Sequence, residues 1–220
     1  NCAAFSSPLQ SSIAIAVSSQ LVSMASIFII CSSITFMQRN DLLVWMDLEM
    51  TSIHDVLVDK ITEIAVVLTD KDLNIVAEGP DIVIHVDPTL FESIQTDAKE
   101  FHSDDEMMKL VAGSKVTAKE AEDQVLAFLK ERVTPQSAPL CGNTIHMDRH
   151  FLRIQMRSVS DYLFYRCIDV SSIKELARRW TPEIYEEAER RKGIKPHRAK
   201  ADIINSIEEL KYYRGNFFKI

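Results

Sequence analysis

A strongly apolar segment at residues 42–50, LLVWMDLEM, contains two acids, Asp47 and Glu49. Its length and composition are typical of a buried β-strand. Because side chains two residues apart in a strand leave the same face of the sheet, both carboxylates would lie side by side. They would repel each other and lose hydration. Either this end of the strand emerges into solvent, or a divalent cation such as Mg²⁺ lies between the two carboxylates.

The order of elements after this strand predicts the fold class. Strand patterns at 61–68 and 75–86 flank a polar turn at 69–72, and helix and strand patterns then alternate. The helical patterns are 117–132, capped by Thr117 and Glu120, 147–156, 172–180 and 200–214, and the strand patterns are 139–145 and 165–170. This order predicts an α/β fold with a mixed five-stranded sheet flanked by helices, as in the ribonuclease-H-like fold.

The first 38 residues carry no charged side chain. They are long and apolar enough to suggest a membrane or signal segment, but they also contain many Ser residues and lack a preceding basic flank. A mitochondrial transit peptide would fit the missing acids, although such peptides are rich in Arg. We expect residues 1–38 to lie outside the fold, or not to be translated normally, and residues 39–220 to form one domain. No stable membrane partner is then expected, unless residues 1–38 span a bilayer.

Charge and cysteine content limit the function and the compartment. The formal net charge of −7 disfavours a protein that tracks along long nucleic acid, because such proteins usually present a basic surface. A short phosphate substrate held by metal ions is compatible with this negative charge. The four cysteines occur singly, without a CxxC pair, which indicates reduced thiols in an intracellular protein.

Three further residues have a chemistry that suits the same site. Asp148 follows the strand pattern at 139–145, Asp202 lies near the start of the last helical pattern, and His197 precedes Asp202 by five residues. Each alone has an ordinary interpretation, since acids in a first helical turn complement the helix dipole. Only the ordered set, D-x-E, N-x-x-x-x-D and H-x-A-x-x-D, favours a catalytic centre.

With these motifs the chain resembles the DEDDh group of 3'-to-5' exonucleases and, within it, the oligoribonuclease family. The similarity covers roughly residues 42–218. The stretches that carry it are VWMDLEMT (44–51), DKITEIAVVLTDKDLNIVAEGP (59–80), PLCGNTIHMDRHFL (139–152), YRCIDVSSIKELARRW (165–180) and HRAKADIINSIEELKYYR (197–214).

The resemblance implies a reaction and a set of residue roles. Asp47, Glu49, Asp148 and Asp202 would hold two Mg²⁺ or Mn²⁺ ions, and His197 would be the general base that takes a proton from the attacking water. The substrate would be short single-stranded RNA, notably dinucleotides, and the product a nucleoside 5'-monophosphate. The protein would be a homodimer in the cytoplasm, the mitochondrion or both. The substrate-binding residues would be Ile53, Asn143, Thr144, Tyr165 and Arg166, of which Tyr165 and Arg166 reach across the dimer.

Two departures from the family pattern concern substrate binding. Ser52 and Ile53 replace the Gly and Leu that the family usually has, and Asp97 stands about where a base-stacking Trp is expected. Loss of one stacking contact would weaken binding by about 1–3 kcal/mol per base. Two alternatives therefore stay open: a DEDDh exonuclease that trims longer RNA or single-stranded DNA, and a non-catalytic binding protein, which would lack at least one metal ligand.

Overall fold

β1 (Leu43–Met50) is the central strand of a five-stranded sheet with the order β3-β2-β1-β4-β5. The structure is a computed structural model, and it describes residues 38–87, 89, 105–191 and 198–218. β1 is antiparallel to β2 and parallel to β4, β3 is antiparallel to β2, and β5 is parallel to β4. The other strands are β2 (Ile61–Thr69), β3 (Ile75–Val83), β4 (Leu140–Gly142) and β5 (Cys167–Asp169). The mixed sheet confirms the predicted fold class.

Helices cover both faces of this sheet. The helices of the described residues are α1 (Asp105–Gly113), α2 (Ala118–Arg132), α3 (His146–Gln155), α4 (Arg157–Tyr162), α5 (Val170–Trp180), α6 (Pro182–Arg191) and α7 (Ala199–Asn216). The predicted cap of α2 is confirmed, because Thr117 Oγ1 accepts from Glu120 N at 3.2 Å and the Glu120 carboxylate accepts from Thr117 N at 2.8 Å. Within the described ranges, no helix is both long and apolar enough to span a bilayer.

Several boundaries differ from the predicted ones. The strands at 139–145 and 165–170 shorten to β4 and β5, since Val170 already begins α5 behind the Asp169 cap. Outside the predicted helical patterns, α6 begins at Pro182, a residue that suits the first helical position. The predicted segment 1–38 lies outside the described residues except for Gln38, whose Nε2 donates to Lys130 O at 2.6 Å.

The alternation of side chains along β1 divides the core into two clusters. Val44, Met46 and Leu48 point to one face and pack with α2, α3 and α4. Trp45 points to the other face, among residues of α5, α6 and α7, and its Nε1 donates to Thr69 Oγ1 at 2.9 Å. Asp47 and Glu49 are in phase with Trp45 and therefore lie on the face that α7 covers.

Candidate active site

Three carboxylates from two distant parts of the chain meet where β1 approaches α7. Asp47 and Glu49 come from the second half of β1, and Asp202 comes from the first turn of α7. One carboxylate oxygen from each lies within 4.8 Å of the other two. All three residues are half-buried, so water reaches the group only in part. The structure thus brings together three of the four predicted metal ligands.

Asp148, the fourth predicted ligand, adjoins this group from the first turn of α3. It is 5% exposed, and its Oδ1 accepts a hydrogen bond from Leu48 N at 2.9 Å. That donor is available because β4 pairs with β1 only at Val44 and Trp45, which leaves the far end of β1 without a strand on this side. Asp148 therefore takes the place of a strand partner beside the acids of β1.

Burial and the neighbouring carboxylates raise the pKa values of Asp47 and Asp148. Burial, followed by the charges of Asp148, Glu49 and Asp202, raises the pKa of Asp47 to about 9. Burial also raises the pKa of Asp148 to about 7, although the hydrogen bond from Leu48 opposes that shift. Without a counter-charge, Asp47 would hold a proton at neutral pH. A bound cation would supply the missing positive charge.

The donor set suits a hard divalent cation. Carboxylate oxygens are the ligands that Mg²⁺, Mn²⁺ and Ca²⁺ prefer, and those of three side chains converge here. His197, the predicted general base, lies outside the described residues, as does Asp97. The role of His197 as general base stays a prediction from the sequence.

The predicted substrate residues Asn143 and Thr144 lie in the loop between β4 and α3. The Asn143 side chain is bonded within the fold: Nδ2 donates to Ser206 Oγ at 2.9 Å and Glu209 Oε2 at 3.2 Å, and Oδ1 accepts from Ser171 Oγ at 2.9 Å. Asn143 thus joins the loop to α5 and α7. Thr144 is exposed and adopts a φ of 51°, in the left-handed region.

Ile53 lies in the loop at 51–60 and is 55% exposed, so an apolar side chain stands ready for contact four residues beyond Glu49. The loop is closed at its base by Thr51 N, which donates to Lys60 O at 2.9 Å. It is also bound to α3, because Gln155 Nε2 donates to Val56 O at 3.1 Å and to Asp59 O at 2.6 Å.

Tyr165 and Arg166 stand just before β5. Tyr165 is 69% exposed, and Arg166 Nε donates to its hydroxyl at 2.9 Å. The exposure is compatible with contact to a second copy of the chain, and their role in substrate binding stays a prediction.

Sequence reasoning missed one charged pair at this site. Glu63 on β2 is fully buried, and the guanidinium of Arg198, just before α7, contacts it at 2.8 Å. The signal was present: Glu63 is an acid within the apolar run ITEIAVVL, the same pattern that drew attention to Asp47.

The sequence of the chain matches a known protein family. The exonuclease family model matches residues 44–210. The mitochondrial oligoribonuclease of Mus musculus is 45% identical over 80% of this chain and 73% of that protein, and that of Homo sapiens is 44% identical over the same shares. The oligoribonuclease of Haemophilus ducreyi is 44% identical over 82% of this chain and 97% of that protein.

Solved structures agree on the fold. An exonuclease I structure aligns over 80% of this chain with a TM-score of 0.58 at 14% identity, and E. coli exonuclease I in complex with an oligonucleotide aligns over 80% with a TM-score of 0.56 at 12% identity. The chain spans only 41% and 40% of those two proteins. At this identity the similarity concerns the architecture alone.

Proposed function

Because the chain belongs to the oligoribonuclease family of exonucleases, we propose that it is a metal-dependent exoribonuclease that hydrolyses short single-stranded RNA from the 3' end. The products would be nucleoside 5'-monophosphates. The observation that carries the proposal is the convergence of Asp47, Glu49 and Asp202 within 4.8 Å, with Asp148 beside them. A non-catalytic descendant of the fold would not be expected to retain all four acids.

The four acids would hold two Mg²⁺ or Mn²⁺ ions. Such ions, when bound, activate water and stabilise the charge that develops on the attacking and leaving oxygens of a phosphodiester. The chain contributes the ligands and their rigid placement: two from β1, one from α3 and one from α7. Cations also offset the local negative charge, so an RNA phosphate can approach although the protein is acidic.

His197 would act as the general base, taking a proton from the attacking water. An imidazole has an ordinary pKa of about 6.5 and so is largely unprotonated at neutral pH. Ile53 offers an exposed apolar surface for a base, and Thr144 offers a hydroxyl and sits next to the loop residue Asn143. In a homodimer, Tyr165 and Arg166 would reach the substrate held by the neighbouring protomer.

The choice of a short substrate rests on charge. A net charge of −7 gives little general attraction to a long polyanion, whereas a dinucleotide needs only the few contacts of the site. The names of the relatives, which include mitochondrial and bacterial oligoribonucleases, support a location inside the cell, in the cytoplasm, the mitochondrion or both.

The test compares substrates of different length. The protein is incubated in Mg²⁺ or Mn²⁺ with a 5'-labelled RNA dinucleotide and, separately, with a labelled RNA of about twenty residues. The longer RNA exceeds one binding site for single-stranded nucleic acid, which is about 4–16 nucleotides. We expect faster turnover of the dinucleotide and no turnover with a chelator. Equal rates, or faster cleavage of the long RNA or of single-stranded DNA, would support the longer-substrate alternative. No cleavage of any of them would overturn the proposal.

A further inference from the structure

Glu63 is a buried carboxylate on the same face of the sheet as the site, and the proposed reaction does not use it. It lies opposite Glu49 in the register of β1 and β2, and its side chain is fully buried. Its neighbours along that face of β2, Ala65 and Val67, belong to the core beneath α7. Burying a carboxylate away from water costs free energy unless hydrogen-bond donors surround it. The donors that surround Glu63 therefore indicate its role.

Those partners all come from the start of α7. Arg198 Nε donates to the two oxygens of Glu63 at 3.0 and 3.2 Å, and the Nη2 group donates to Oε1 at 2.8 Å. Ala199 N, an amide at the N-terminus of the helix, donates to Oε2 at 3.3 Å. A guanidinium bound at two points is fixed in orientation as well as in distance.

One turn of α7 links Arg198 to the candidate metal ligand Asp202. Asp202 N donates to Arg198 O at 3.0 Å, so the backbone that carries the Asp202 carboxylate is bonded to the residue that Glu63 holds. On its other side, Glu63 is joined to Glu49 by the strand pairing. Glu63 thus connects the strand that carries one candidate ligand to the helix turn that carries another.

We infer that Glu63 and Arg198 are positioning residues that set the separation between Asp202 and the carboxylates of Asp47 and Glu49. The inference rests on the proposed function of this site. Apolar packing of Ala199, Ile203 and Ile207 holds α7 against the sheet, but it is non-directional and does not fix the helix along its axis. The directional hydrogen bonds of Glu63 with Arg198 and Ala199 fix the first turn of α7 along that axis.

Among the described residues, two other ion pairs join α7 to the strands or their turns. Lys200 contacts Glu78 at 2.6 Å and Arg214 contacts Asp72 at 2.8 Å, and in both pairs each side chain is about half-exposed. Exposed pairs of this kind hold geometry weakly. The Arg214–Asp72 pair therefore supplies a matched control, since it has the same chemistry on the same helix but lies at the end away from the acids.

The test uses the full chain with Glu63→Gln, Arg198→Lys, the double variant, and Asp72→Asn as the control. Glu63→Gln keeps the shape but removes the charge, whereas Arg198→Lys keeps the charge but removes the two-point contact. We measure kcat and KM on the dinucleotide at saturating Mn²⁺, and separately the Mn²⁺ dissociation constant by calorimetry. Hydrogen exchange in the first turn of α7 gives a third measurement.

We expect Glu63→Gln to lower kcat or Mn²⁺ affinity by about 10–100-fold, the range found when outer partners of metal ligands are changed. KM should change little, and hydrogen exchange in the first turn of α7 should accelerate. Arg198→Lys should fall between the wild type and Glu63→Gln. The double variant should lose no more than Glu63→Gln alone, because the two residues act as one unit. Asp72→Asn should match the wild type.

A variant that unfolds more easily but keeps the wild-type kcat and Mn²⁺ affinity would show a merely structural pair and overturn the inference. If Glu63→Gln does not fold, Arg198→Lys decides, since it leaves a cation beside the buried carboxylate. If the wild type does not cleave the dinucleotide, the proposed function fails. The Mn²⁺ affinity and hydrogen exchange of the same variants then still decide whether this pair positions the acids.

Discussion

Asp148 on α3 accepts a hydrogen bond from the backbone N–H of Leu48 on β1, with 2.9 Å between Asp148 Oδ1 and Leu48 N. This contact joins two elements that are 100 residues apart in sequence, at the point where β4 no longer pairs with β1. It holds a buried carboxylate beside Asp47 and satisfies a backbone donor that has no strand partner. One side chain thus serves both the sheet and the site.

Asp148→Ala should destabilise the metal-free protein more than Asp148→Asn. Alanine leaves the buried Leu48 N–H without an acceptor, at a cost of about 1–3 kcal/mol, whereas the carbonyl oxygen of asparagine can still accept that bond. Denaturant unfolding in the presence of a chelator measures the difference. Equal stability of the two variants would mean that the contact with Leu48 does not hold α3 against β1.

The stability of the metal-free protein should fall as the pH rises from about 4 towards 9. The pKa values of Asp47 and Asp148 are raised in the folded state, to about 9 and about 7, above the value of about 3.9 expected when unfolded. The folded protein therefore holds more protons than the unfolded one across that window, so the free energy of unfolding decreases with rising pH. A drop in melting temperature of at least about 2–4 °C, equivalent to about 1 kcal/mol at this length, is expected.

The same melting curves recorded for Asp47→Asn identify the source of the effect. The neutral amide removes the group with the largest shift and the repulsion that it exerts on its neighbours, so most of the pH dependence should disappear. A wild-type melting temperature that stays flat or rises between pH 5 and 8 in chelator would contradict the electrostatic description of the site.

Mn²⁺ should stabilise the wild type and leave Asp47→Asn nearly unchanged. A ligand that binds only the folded state adds about 2.7 kcal/mol at a concentration one hundred times its dissociation constant. The gain should be greater at pH 8 than at pH 6, because the cation competes with protons for the same carboxylates. Melting temperatures with and without Mn²⁺ at both pH values measure this. A shift of equal size in Asp47→Asn would assign the binding to another part of the protein.

Gln155→Met should weaken dinucleotide binding while leaving catalysis at saturation nearly unchanged. Methionine keeps the length of the side chain but cannot donate to the carbonyls of Val56 and Asp59, so the loop that carries Ile53 loses its attachment to α3. Two hydrogen bonds of about 1 kcal/mol each, about 2 kcal/mol together, would raise KM by up to about thirtyfold. Gln124→Met, at an exposed position of α2, is the matched control. An unchanged KM would show that this loop does not bind substrate.

The sequence predicted those parts of the molecule that follow from local pattern. The apolar strand with its two acids and the cap at Thr117 are local features, and the structure has them where they were expected. The short strands β4 and β5 were predicted too long, because the apolar residues that extend beyond them pack in irregular segments and helix starts just as well as in strands. A buried residue does not reveal from sequence alone whether its backbone is paired.

The candidate site divides in the same way. The residue types of Asp47, Glu49 and Asp202 indicated their chemistry, but their convergence depends on how α7 crosses β1, which no local pattern contains. For Asn143, the sequence motif did not reveal the contacts that its side chain makes within the fold. The motif suggested a substrate contact, whereas the structure gives its amide three partners on α5 and α7, and its contact with substrate stays a prediction.

The most direct test of the central claim is the kcat of Asp202→Asn on the RNA dinucleotide at saturating Mn²⁺, compared with that of the control Asp72→Asn. Asp202 is the acid that only the folded chain brings to β1. We predict a fall of more than about 100-fold for Asp202→Asn, since a direct ligand should matter more than the outer partners whose loss costs about 10–100-fold. We predict no change for Asp72→Asn. A variant Asp202→Asn that folds normally and retains wild-type kcat would contradict the assignment of this acidic cluster as the catalytic centre.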